Sequence, residues 1–577
     1  SMFNMQPVGK CTLEVCHTGP CAINGAESLI SYLENKLNIK LGQTTADAMF
    51  TLKAVECLGS CGSAPFNANP LSVSAPISKK SSEMTQTQVE TWGAADLFTD
   101  TIAGMSVDKA YSELLVGRKS KIVIFGVIES GVDIEHADLK EVIWVNTDEI
   151  PDNGIDDDNN GYVDDVHGWN FLGDIVKENL EYIRIMKDLA PEFEGKDASS
   201  ISDNDQERYQ LYLKVKADYE NDYAEAASNK ERYQGMHDGL VEGHAFAVEA
   251  LGKEDYGAAE LAALTDLTDQ QQAMVDGLSR MLGFGPTIPA VMERLMGGVA
   301  YFTGRLESHF NIDGDYRDVL GDDANDFSSK YYGNNDVDGP DPKKEDATHG
   351  THVAGIIAAQ RGNSLGMDGV AQNVEIMTLR AVPDGDEYDK DIALGIRYAV
   401  DNGAKVINMS FGKQFSTHSN WVRDAIAYAA KNDVLIVAAA GNDAQNTDEI
   451  NYFPNDQINN GEEVSNTFLK VGSIGPKYGS TMVASYSNYG KNTVDVFAPG
   501  TEIYSTYPKE SYEFASGTSM AAPHVSGLAA ALMQKFPNLT PAHIATRIKS
   551  TASLSELTGS FGETLEAIFE YKGSTEG

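Results

Sequence analysis

The sequence predicts a doubly wound parallel α/β fold carrying a large helical insertion and preceded by a small strand–helix–strand unit. Three observations carry this. The run KIVIFGVI at 121–128 is almost wholly apolar or β-branched, the pattern of a strand covered on both faces of a parallel sheet. Similar runs follow at 405–409 and 434–439, and helical stretches alternate with them at 352–360, 391–402, 421–431 and 519–536. Between about 180 and 310 the texture changes: Tyr212, Val215, Tyr219 and Tyr223 recur at helical spacing among many charges.

From the N-terminus, 12–15 reads as a short strand. Residues 25–37 read as a helix with Leu29, Ile30, Leu33 and Leu37 on one face, and 50–55 as a second strand. Residues 67–92 are rich in Ser, Thr, Asn and Pro without periodicity and read as a linker. The predicted organisation is therefore a small unit at 1–66, a linker at 67–92 and a main domain at 93–577 with its helical insertion at 180–310. A chain of 577 residues is too long for one ordinary core, which agrees with more than one unit.

Charge and cysteine usage narrow the function classes. A formal charge of −42 disfavours nucleic-acid binding, which needs clustered Lys and Arg, and it suits a protein that holds cations. No run of about 18 uncharged apolar residues is present, so no membrane span is expected. The start, Ser1-Met2-Phe3-Asn4, lacks the basic and apolar regions of a signal peptide. All five cysteines, at 11, 16, 21, 57 and 61, precede residue 62, which excludes a disulfide framework for the larger unit. His237 and His244 in the insertion lack the i, i+4 spacing of a helical metal pair and read as structural.

A nucleophilic serine needs a base, an acid that orients the base, and donors for the oxyanion. Gly517-Thr518-Ser519-Met520-Ala521-Ala522-Pro523-His524 opens a long apolar helix, where unpaired N–H groups favour negative charge on Ser519. His349-Gly350-Thr351-His352-Val353-Ala354-Gly355 sets a histidine at the start of another. Asn442 follows the apolar run at 434–439 and can offer its amide to an oxyanion. Glu129, in Ile128-Glu129-Ser130-Gly131-Val132-Asp133, lies at the C-terminal end of the first strand of the main domain, the edge where catalytic groups gather in open α/β sheets.

In content and order these segments resemble the signature motifs of the subtilisin-like serine proteases (subtilases). The resemblance implies Ser519 as nucleophile, His349 as general base, and Asn442 with the Ser519 N–H as oxyanion hole. It also implies that Ser410, Phe411 and Gly412 pair with substrate backbone, while Ala439 and Gly441 wall the specificity pocket. The expected activity is endopeptidase cleavage of peptide or protein substrates through an acyl-enzyme, in an extracytoplasmic (secreted or periplasmic) setting. Three features depart from the family pattern: the 220-residue gap from Glu129 to His349, His136-Ala137-Asp138-Leu139 where the motif usually reads H-P-D-L, and, most consequentially, the acid, which is Asp there and Glu129 here. The added methylene moves the carboxylate by about 1.5 Å, and misplacement of about 1 Å can cost about a hundredfold. Weakened proteolysis is therefore expected, with an inactive peptide-binding protein as the alternative. Asp133 sits at the wrong spacing to replace the acid.

Two further patterns suggest cofactors. Asp156, Asp158, Asn160, Tyr162, Asp164 and Asp165 place oxygen donors in a loop resembling the first half of an EF-hand, with His167 where its closing Glu would stand. Calcium is expected there, against a solvated Asx-rich turn. Asn335-Asp336-Val337-Asp338-Gly339 is a weaker loop of the same type. Near the N-terminus, Cys16-x4-Cys21 and Cys57-x3-Cys61 suit a 2Fe–2S cluster better than zinc. The segment from residue 15 to 65 resembles the thioredoxin-like 2Fe–2S subunit of respiratory NADH dehydrogenases and breaks off near Pro65. That resemblance implies a partial thioredoxin-like unit and, as a further alternative, electron transfer.

Overall fold

In the computed structural model the described residues are 11–16, 30, 33–34, 36–46, 50–55, 80, 82–115, 120–458 and 461–552. Strands β1 (Cys11–Cys16) and β2 (Phe50–Val55) pair in parallel, with Cys16 opposite Val55.

Among the described residues the main sheet has seven strands: β3 (Val123–Glu129), β4 (Gly168–Asn170), β5 (Val374–Arg380), β6 (Val406–Met409), β7 (Leu435–Ala439), β8 (Phe468–Ile474) and β9 (Val496–Pro499). Their order is β4-β5-β3-β6-β7-β8-β9, and every pair is parallel. Alternate residues face opposite cores, as the two-residue strand period requires. Phe125, Val127, Val406, Val437 and Val471 join one cluster, while Ile128, Ile407, Ile436 and Phe468 join the other.

Nine helices of eleven or more residues are present among the described residues. The insertion holds α1 (Glu181–Phe193), α2 (Gln206–Leu251), α3 (Asp269–Met281) and α4 (Ile288–Gly304). The core helices are α5 (Thr348–Ala358), α6 (Asp389–Asp401), α7 (Ser419–Lys431), α8 (Thr518–Lys535) and α9 (Pro541–Thr551). Helices α5, α8 and α9 cover one face of the sheet, α6 and α7 the other. This is the doubly wound α/β arrangement.

The 46-residue α2 serves two small cores. Tyr209, Tyr212 and Val215 pack on Tyr182, Ile183, Met186 and Phe193 of α1, while Leu240 and Ala247 pack on Val275 and Leu278 of α3 and Val291 and Leu295 of α4. The insertion leaves and returns at one point: Leu180 N donates to the His309 carbonyl, and the Asn179 amide donates to the Ser308 carbonyl. Closed ends let a long excursion leave the surrounding sheet undisturbed.

Two expectations need correction. The stretch read as linker up to residue 92 is ordered before its end: Gln86–Thr91 is a helix capped by Thr85, and Trp92 lies in the core, 1% exposed. Its indole N–H donates to the Thr501 and Glu502 carbonyls. The helix expected from residue 352 begins at Thr348, which sets His349 within its first turn.

Candidate active site

Glu129 ends β3 and is fully buried. The helix beside it approaches closely because Gly350 has no side chain: a Cβ there would lie 2.1 Å from the Gly131 carbonyl oxygen and 2.9 Å from Glu129 Cβ. That contact brings His349 Nδ1 to Glu129 Oε2, to which it donates at 2.7 Å. Burial pulls the imidazole pKa down, but the charge of Glu129 and this hydrogen bond outweigh it and raise the pKa above the usual histidine value. The His349 side chain is 41% exposed where it opens on the cleft. The second oxygen, Glu129 Oε1, is buried without a hydrogen-bond partner.

Ser519 is the second residue of α8, and its Oγ donates to the Ser410 carbonyl at 2.9 Å. Asn442 is fixed by its oxygen: Thr518 N and Thr518 Oγ1 both donate to Asn442 Oδ1, at 2.9 and 3.0 Å. Thr518 Oγ1 in turn accepts from Gly441 N at 3.0 Å. The amide nitrogen of Asn442 is left pointing beside Ser519. A Cβ on Gly517 would lie 3.4 Å from Asn442 Nδ2 and 3.6 Å from Ser519 N, so these two donors converge on one small space.

Ser410, Phe411 and Gly412 follow β6, Ala439 ends β7, and Gly441 holds φ +101. All five line one cleft of about 610 Å³ together with His349, Asn442 and Ser519. The sequence-predicted catalytic and substrate residues thus meet at one place, with Glu129 buried behind it. Asp133 does not reach His349. It accepts from Lys344 Nζ at 2.6 Å and from Lys509 N at 2.9 Å, and so ties two loops together.

In the acidic loop, Asp158 and Asp165 converge and are joined by Glu149, with one oxygen of each within 4.8 Å of the others. Three of the other expected ligands, Asp156, Asp164 and Asn160, are engaged elsewhere. Asp156 accepts from Asn160 N and Gly161 N, and Asp164 accepts from Asn153 N and Gly154 N. Asn160 donates its amide to Asp158 and Asp165. Burial pushes Asp165 up to about 6 despite hydrogen bonds from Tyr398, Asn160 and Asn146. Three crowded carboxylates of this kind fit a hard cation. In the weaker loop Lys344 stands where a cation would, 2.7 Å from Asp338. Of the cluster cysteines, Cys16 ends β1, while Cys21, Cys57 and Cys61 lie outside the described residues.

Sequence reasoning missed Glu149, Thr518 and Tyr452, the last of which also lines the cleft. Glu149 lies seven residues before the loop and is held to it by accepting from Asp157 N and Asp158 N. Its distance from the motif hid it. Thr518 stands inside the serine motif, so its hydroxyl was legible as a candidate. Tyr452 carries no motif at all.

Residues 120–569 match the model of the Subtilase family, and residues 1–77 match that of the thioredoxin-like 2Fe–2S ferredoxins. A thermophilic serine proteinase of Bacillus sp. (strain AK1) is 40% identical over 214 residues, which are 37% of this chain and 49% of that protein. Subtilisin DY of Bacillus licheniformis is 37% identical over 36% of this chain and 70% of its own length. A solved cold-adapted subtilisin-like serine proteinase shows 33% identity over 38% of this chain and 72% of that one, with a TM-score of 0.31. The chain thus spans about half of the first relative, and 70% of the second. With the matched region covering most of the sequence, the chain belongs to the subtilase family.

Proposed function

We propose that this chain is a serine endopeptidase that cleaves peptide bonds through an acyl-enzyme on Ser519. The observation that carries the reading is the convergence of His349, Asn442 and Ser519 on one cleft, with His349 bonded to Glu129 at 2.7 Å. Ser519 Oγ turns from the Ser410 carbonyl toward the imidazole, gives up its proton to the free nitrogen of His349 and bonds to the substrate carbonyl carbon. The oxyanion accepts from Asn442 Nδ2 and Ser519 N. Collapse breaks the C–N bond, and the proton held by His349 goes to the departing amine. Water then repeats the sequence and frees Ser519. Glu129 keeps the Nδ1–H tautomer and stabilises the imidazolium.

The longer acid sets the rate of this site below that of an aspartate-based one. Its unpaired buried Oε1 and the serine hydroxyl's bond to Ser410 support that reading, and they are also what favours a second one, a peptide-binding protein without turnover. Labelling by a fluorophosphonate probe separates the two. Labelling should vanish in Ser519→Ala and strengthen in Glu129→Asp. Absence of label in both this chain and Glu129→Asp would leave the peptide-binding reading in front.

Calcium at Glu149, Asp158 and Asp165 would hold the loop beside β4, and its role is structural. The N-terminal segment suits a 2Fe–2S cluster on Cys16, Cys21, Cys57 and Cys61, and iron analysis with visible absorbance after anaerobic purification tests it. Work outside the cytoplasm, on protein substrates, fits the family; one relative is named a cell wall-associated protease, from Bacillus subtilis (strain 168). Among the described residues no helix is long and apolar enough to cross a membrane.

A further inference from the structure

We propose that Tyr452 forms the floor of the side-chain pocket beside Ser519, so that this chain accepts only small side chains at the residue whose carbonyl is attacked. The inference rests on the protease reading and adds its substrate class. Gly412, Gly441 and Tyr452 line the cleft beside Ser519, and both glycines face the same ring. A Cβ on Gly412 would lie 2.5 Å from Tyr452 Cε1, and one on Gly441 would lie 2.4 Å from Tyr452 Cζ. Such spacing means the ring already rests against both glycines, with nothing left to fill on either side. Its hydroxyl donates to the Gly412 carbonyl at 3.2 Å and pins it there.

The ring has no retreat. Behind it lies a cavity of only about 20 Å³, lined by Asp456, Lys470 and Asp495 as well as by Tyr452 itself. That is room for about one water molecule. Lys470 Nζ stands 5.5 Å from the ring centroid. A substrate methyl group can rest on the exposed edge of the phenol, whereas a leucine or phenylalanine side chain needs the space the phenol occupies. Tyr452 touches no reacting atom and acts on specificity alone.

The test uses the full chain and tetrapeptide anilides carrying Ala, Leu or Phe before the scissile bond, with kcat/KM measured for each. The same peptides are titrated against Ser519→Ala to read binding without turnover. Expected is a preference for Ala over Phe of at least about tenfold in both measurements, since pocket fit commonly discriminates by 10–200-fold. Tyr452→Gly should invert the preference, and Tyr452→Phe, which keeps the ring and loses only the hydroxyl, should retain it. Phe accepted as well as Ala by the unaltered chain would overturn the inference, as would Tyr452→Phe relaxing the preference as much as Tyr452→Gly. Size-selective binding to Ser519→Ala without any hydrolysis by the unaltered chain would support the pocket and sink only the protease reading. Binding of no peptide to either protein would overturn both.

Discussion

Glu129→Gln isolates the charge behind His349, because the amide keeps the side chain's length and its place at the end of β3. The carboxylate is fully buried, touches the imidazole at 2.7 Å and leaves its other oxygen unpaired, so its charge acts chiefly on His349. Neutralising it has two consequences. Burial then acts on the imidazole almost unopposed, and the pKa that Glu129 had raised falls. The amide can also turn its NH2 toward Nδ1, which favours the tautomer protonated on Nε2, and that nitrogen then cannot take the serine proton. An amidated acid costs about 10⁴-fold in turnover in one serine protease triad, and loss of the acid about 3 × 10⁴ in a subtilisin. The assay is kcat/KM on a peptide anilide from pH 5 to 10. The base must be neutral, so the unaltered chain should show an acid limb above the ordinary histidine value of about 6.5. In Glu129→Gln that limb should move to lower pH while the plateau drops by about 10⁴-fold. A plateau within tenfold of the starting chain, or a limb that stays in place, would refute the role assigned to Glu129.

Asn442→Ala should lower kcat by about 10²–10³-fold with little change in KM, because the lost donor serves the transition state; steady-state kinetics on the same anilide reads this. Gly350→Ala should destabilise the fold by about 1–3 kcal/mol in denaturant unfolding, since its Cβ would lie 2.1 Å from the Gly131 carbonyl. Burial holds His352 and His524 down at about 4, so each favours folding above the unfolded value of 6.5 and loses that contribution as pH falls toward 4. Each would cost up to about 3 kcal/mol over that window, and stability flat between pH 7 and 4 would contradict both. Calcium at a hundredfold excess over its Kd should raise stability by about 2.7 kcal/mol, and Asp158→Asn should remove the effect.

The parts of this fold that were legible share one property, an environment uniform enough to leave a pattern in the residues themselves. β3, β6 and β7 lie between two apolar layers, so each reads as an apolar run, broken only by the buried Asn408 within β6 and Glu129 at the end of β3. β5 and β8 are just as buried but carry Arg380, Lys470 and Ser473 inside. The Arg380 guanidinium donates to Asn170, Gly173 and Ile175, and the Ser473 hydroxyl meets Tyr486, so their polarity is met by partners outside their own strands. Such partners leave no local signal, and these strands went unread. The same distinction divides the site. His349, Asn442 and Ser519 stand in motifs because the backbone around each must take one shape to present the group. Glu149 and Tyr452 act through contacts that no motif marks, Glu149 by accepting N–H groups of the loop that follows it and Tyr452 by lying between Gly412 and Gly441. Chemistry that depends on local backbone shape is therefore written in the sequence, whereas selectivity built from a single side chain wedged between two glycines becomes visible only once the sheet has brought them together.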